Sequence, residues 1–133
     1  VRSAPPQAAP TNELDTHALA EMTDGLSAAQ LGELLERVAQ DISTHAAMAL
    51  DCVNTGNAEG LARSCHVLKG LAGSFGNREL ASLTKRIEQY CRDGNIEAAM
   101  SAALSDLARM SRSAQAALDN YHRSKVMGDA RGA

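Results

Sequence analysis

Residues 96–121 read IEAAMSAALSDLARMSRSAQAALDNY. Within them Ile96, Met100, Ala103, Leu107, Met110, Ala114, Ala117 and Tyr121 recur at alternating steps of four and three. That repeat lays one strip of small and aliphatic side chains along an α-helix, the seam by which a helix joins a bundle. Upstream, Asp93-Gly94-Asn95 breaks the pattern, and Leu80, Leu83, Ile87 and Tyr90 mark the core face of a preceding helix that Asn77 caps. Gly76 is a natural αL terminator for the helix before that, which starts after the turn Gly56-Asn57 with Asn57 as its N-cap. A longer stripe of Leu31, Leu34, Leu35, Val38, Ile42, Ala46, Ala49 and Val53 predicts a helix to about Thr55, opened by a capping box of Ser27 and Gln30. Before Asp24-Gly25, residues Thr11 to Met22 form a short amphipathic piece with Leu14, Ala18 and Met22 on one stripe. No period-two alternation argues for a strand. Short connections between long helices imply antiparallel neighbours, so the expected fold is all-α: an up-down antiparallel four-helix bundle with a short additional N-terminal helix.

The chain of 133 residues suffices for one domain with its own core. Aromatic residues make up 2% of it, so that core is aliphatic. A net charge of −3 offers no basic footprint for nucleic acid, and no apolar run reaches the roughly 20 residues of a membrane span. Ser3-Ala4-Pro5-Pro6-Gln7-Ala8-Ala9-Pro10 reads as an extended linker. The expected organisation is therefore a linker over 1–11, a helical domain over 12–126 and a disordered tail over 127–133. Cys52, Cys65 and Cys91 are odd in number and lack CxxC spacing, which suits reduced, packed thiols in a cytosolic protein.

Four histidines are candidates for chemistry. Metal chemistry in a bundle would need Glu-x-x-His pairs on two helices, and HExxH is also missing, so no metal site is expected. His17 follows Glu13, and His45 follows Asp41, by one turn each, as solvated ion pairs do; His122 near a helix C-terminus suits the dipole. No catalytic triad, activated thiol or phosphate loop is present, so no autonomous catalysis is expected.

His66 differs. At 100° per residue, Glu59, Ala62, Arg63, Lys69, Gly70, Gly73 and Asn77 fall within about 60° of it on a helical wheel. Leu61, Cys65, Leu68, Leu71, Ala72 and Phe75 occupy the far side, roughly 140° to 260° around. His66 therefore faces water among small residues and cations. Gly70 and Gly73 each cost a helix up to about 1 kcal/mol relative to Ala. Glycines on an exposed face suggest that something bulky approaches the imidazole, a competent nucleophile at neutral pH. Lys69 and Arg63 could neutralise incoming negative charge.

The stretch His66-Val67-Leu68-Lys69-Gly70-Leu71-Ala72-Gly73-Ser74-Phe75-Gly76 resembles the histidine-containing phosphotransfer (HPt) domain of bacterial phosphorelays. Its pattern is His-x-x-Lys-Gly with a further glycine six residues on; Leu83, Arg86-Ile87-Glu88 and Arg92-Asp93-Gly94-Asn95 match the next helix and turn. The resemblance implies a histidine phosphotransfer module of a two-component phosphorelay. His66 would accept a phosphoryl group from a receiver-domain aspartate and pass it to the aspartate of another response regulator. It also implies that Lys69 assists with charge, Gly70 clears the approach, and Glu88 accepts a hydrogen bond from Nδ1 so that Nε2 stays free. Ala62, Arg63, Val67, Gly70, Leu71, Gly73 and Gly76 would form the docking surface, with Gly76 serving the helix junction. No cofactor is implied in this chain, since Mg²⁺ would belong to the partner receiver. A monomeric cytoplasmic domain follows, without nucleic-acid or direct membrane contact, either tethered by its linker in a hybrid sensor histidine kinase or standing alone as a carrier. The rivals are a helical adaptor or dimerisation bundle without chemistry, and the dimerising phosphoacceptor hairpin of a histidine kinase. That hairpin has an acidic residue after its histidine, where Val67 stands here.

Overall fold

The computed structural model describes residues 14–132, with side chains as far as Met127. These residues are helical almost throughout: α1 (Thr16–Met22), α2 (Ala28–Asn54), α3 (Ala58–Ser74), α4 (Arg78–Arg92), α5 (Ile96–Ala102), a π turn (Ala103–Leu107) and α6 (Ala108–Gly132). The linker expected over 1–11 lies outside the described residues.

Local chemistry sets the boundaries. Ser27 Oγ accepts from Gln30 N while Gln30 Oε1 accepts from Ser27 N, closing the capping box of α2. Asn57, Asn77 and Asn95 each cap the helix that follows with a side-chain oxygen. Gly56, Gly76 and Gly94 precede those caps at φ +71°, +73° and +80°, conformations that a side chain would resist.

Packing buries the aliphatic faces in one core. Leu31, Leu35, Val38 and Ile42 of α2 meet Leu61, Cys65 and Leu68 of α3, Leu80, Leu83 and Ile87 of α4, and Leu107 and Leu118 beyond. α2 lies against α3 and α6, and α4 against α3 and α5. The chain at Leu14 pairs antiparallel with Asn77, and Asp15 N donates to Gly76 O at 2.8 Å, closing the N-terminal end over the α3–α4 junction.

Four expectations need correction. Leu19, not Met22, is the core residue of α1; Met22 is half exposed because the seven-residue helix rests on its other edge. Asn77 is buried as the α4 cap and does not share the exposed face with His66, since α3 ends at Ser74. The last seam is not one regular α-helix. The π turn takes in one residue more, so the buried row runs Ala99, Ala103, Leu107, Ser111, Ala114 and Leu118, while Met100, Met110 and Tyr121 are only partly covered. Finally, α6 continues to Gly132, into the stretch expected to be an unstructured tail.

Candidate functional site

α3 presents His66 outward because Cys65 and Leu68 on its opposite face are fully buried. The imidazole is 68% exposed. Across the α3–α4 interface stands Glu88, only 12% exposed, and its carboxylate collects three partners. Oε2 lies 3.0 Å from His66 Nδ1, Oε1 accepts from Lys69 Nζ at 2.8 Å, and Arg92, one turn along α4, donates to Oε2 at 3.4 Å.

An ionised carboxylate has only acceptor sites, so the contact to Nδ1 is a hydrogen bond when Nδ1 carries the proton. That tautomer leaves the Nε2 lone pair unprotonated and in reach of a partner. Burial by itself pushes the Glu88 carboxyl up, but hydrogen bonds and charge from Lys69 and His66 outweigh it and hold it below its ordinary value. Glu88 thus stays ionised at neutral pH.

The glycines beside His66 are open. A Cβ built on Gly70 or Gly73 would meet nothing within 4 Å, so neither is needed for helix packing. Gly60 and Gly32 behave oppositely: a Cβ there would come within 2.6 Å of Cys52 Sγ and 2.9 Å of His122 Nε2. Val67 is 40% exposed, Leu71 and Ala62 are half-buried, and Arg63 stands 4.0 Å from Glu59 in an exposed pair. Gly76 does not belong to this surface. It is buried, and a Cβ on it would lie 2.8 Å from the Asp15 backbone nitrogen. Its place is the helix junction.

The other histidines stand apart from this cluster. His17 lies 3.9 Å from Glu21, and its expected partner Glu13 lies outside the described residues. His45 does not form the solvated pair expected with Asp41; it is half-buried, with Nδ1 enclosed and unpartnered. His122 packs over Gly32 well before the end of α6, so it is no helix-terminal charge. Among the described residues no group of His, Cys, Asp and Glu is arranged to hold a metal ion, and no helix is long and apolar enough to cross a membrane. The three cysteines are free thiols. Burial, reinforced by Cys91, Glu88 and Cys52, pushes the Cys65 thiol up to about 12, which leaves it without nucleophilic character.

Arg92 is the member of the cluster that sequence reading did not assign. Its signal was the helical step of four from Glu88, the spacing at which side chains on a helix meet. None of the curated proteins and none of the solved structures is significantly similar to the chain. The family model described as the Hpt domain matches residues 26–120, from the turn before α2 into α6, and so spans both His66 and Glu88. With most of its length matched by that model, the chain belongs to the Hpt domain family, whose work is histidine phosphotransfer with receiver domains in phosphorelays.

Proposed function

We propose that His66 is the phosphoacceptor. Its Nε2 lone pair attacks the phosphorus of a receiver's phosphoaspartate, the N–P bond forms as the acyl-phosphate P–O bond breaks, and the aspartate leaves as a carboxylate. The ring then carries positive charge, which the Glu88 carboxylate balances through Nδ1–H. In the onward step the imidazole is the leaving group and the aspartate of a second receiver takes the phosphoryl group. Lys69 lies on the same rim and neutralises phosphoryl oxygens, while Gly70 leaves room for the receiver. Magnesium is supplied by the receiver. Ala62, Arg63, Val67, Gly70, Leu71 and Gly73 form the docking surface.

The observation that carries this reading is an exposed imidazole whose Nδ1 is held 3.0 Å from a largely buried carboxylate. The reading also includes an up-down antiparallel arrangement of four helices in one monomeric chain, serving in the cytosol as part of a hybrid sensor histidine kinase. Its test is transfer from a radiolabelled receiver. Wild type takes up an acid-labile, alkali-stable label and His66→Gln takes none. Equal labelling of the variant, or no labelling of wild type by a panel of receivers, would leave the adaptor reading in its place.

A further inference from the structure

Beside His66, towards the start of α3, the surface is concave. Ala58, Glu59 and Ala62 of α3 face Glu88, Cys91 and Arg92 of α4 across a recess of about 400 Å³. We propose that this recess receives an uncharged aliphatic side chain of the incoming receiver, so that Ala58 and Cys91 help decide which receiver is accepted. The inference rests on the phosphotransfer reading and extends its docking surface to residues which that reading does not use.

Three observations support it. First, the recess is continuous with the site, because Glu88 forms its wall and also holds His66 Nδ1 at 3.0 Å. Ala62 lies one turn before His66 on the same strip of α3, so a body seated on the imidazole reaches it. Secondly, the opposite flank carries little shape: Gly70 and Gly73 have no side chain, and a Cβ on either would touch nothing. The glycines give a receiver little shape to read, whereas a shallow recess between two helices makes contact that depends on the size of the side chain seated in it. Thirdly, the carboxylate that walls the recess is already matched within the chain, since Arg92 donates to the largely buried Glu88 at 3.4 Å. A charged occupant at that wall would compete with this pair, while an aliphatic one meets Ala58, Ala62 and the Cys91 thiol. That thiol stays protonated, since burial and then Glu88 raise its pKa.

The test uses the whole chain and an isolated Mg²⁺-loaded receiver domain that labels wild type. Titrating ¹⁵N-labelled chain with that receiver should shift the amides of Ala58, Ala62 and Cys91 together with those around His66. Filling the recess by Ala58→Leu should raise KM for the receiver about tenfold with kcat held within about twofold, and Cys91→Met should act in the same direction. Shifts confined to Val67–Gly73, or a KM unmoved in both folded variants, would overturn the inference while leaving phosphotransfer intact. If no receiver labels wild type, both readings fall together. If the variants do not fold, the titration of wild type decides alone.

Discussion

Glu88 is the residue on which the chemistry of the site turns, because one carboxylate serves a histidine, a lysine and an arginine. Its pKa is held below the ordinary 4.5, so the folded state resists its protonation. The stabilisation is fully present above pH about 4.5 and is lost as pH falls through the lowered folded-state value. Melting temperatures measured across roughly pH 3 to 6 should therefore fall more steeply on the acid side for wild type than for Glu88→Gln, which has no proton to take up. Parallel curves would show that Glu88 is not the group responsible. Gly70 supports a prediction of opposite signs. A Cβ there has open space, so Gly70→Ala should stabilise the chain by about 0.5–1 kcal/mol in urea unfolding. The same methyl stands beside the imidazole, and transfer from a receiver should slow. A stabilised variant with undiminished transfer would detach Gly70 from docking. His66, Lys69 and Gly70 were legible as a motif, and Arg92 stands one helical turn from Glu88; the meeting of Lys69 with Glu88 was not legible, because the two sit on different helices.

Among the elements, the α3–α4 junction and the π turn respond to different forces. At the junction Gly76 combines φ +73° with the Asp15 backbone at the place a Cβ would occupy. Gly76→Ala should cost more than about 2 kcal/mol of unfolding free energy, since backbone strain and a clash with main-chain atoms act together. A cost under 1 kcal/mol, roughly the scale of an ordinary surface change, would mean the N-terminal segment moves aside freely. The π turn carries one extra residue, and Leu104 within it is 62% exposed. Deleting Leu104 closes the buried row into alternating steps of four and three. The deletion should cost no more than about 2 kcal/mol and leave the helical circular dichroism intact. Collapse of the fold would show that the wider turn sets the rotation of α6 against α2. Caps and terminating glycines were legible here because each acts within three or four residues; the π turn was not, because a four-three seam reads equally well along a regular helix.

For the whole molecule, one aliphatic core couples the helices. Leu68 is fully buried on the side of α3 opposite the His66 face, with Ile87 of α4 in the same core. Leu68→Ala should cost about 2–5 kcal/mol and, while the chain remains folded, loosen the hold of α3 on α4. Chemical denaturation should then report one cooperative transition at a lower midpoint. Sedimentation of wild type should give the monomer mass; an obligate dimer would favour the phosphoacceptor-hairpin alternative.

Sequence alone determined the all-helical character, the caps Ser27, Asn57 and Asn77, the terminating glycines, the aliphatic stripes of α2, α3 and α4 and the outward direction of His66. These follow from hydrogen bonds and side-chain spacing over three or four residues, which are present whatever the neighbouring helices do. The contact of Glu88 with His66, 22 residues away, was implied by the family resemblance and not by spacing. Tertiary structure alone decided that Lys69 reaches that same carboxylate, that Gly76 lies beneath Asp15, and which row of the last helices is buried. Those depend on the axial and rotational setting of one helix against another, which arises when the whole aliphatic core closes and is written in no single segment.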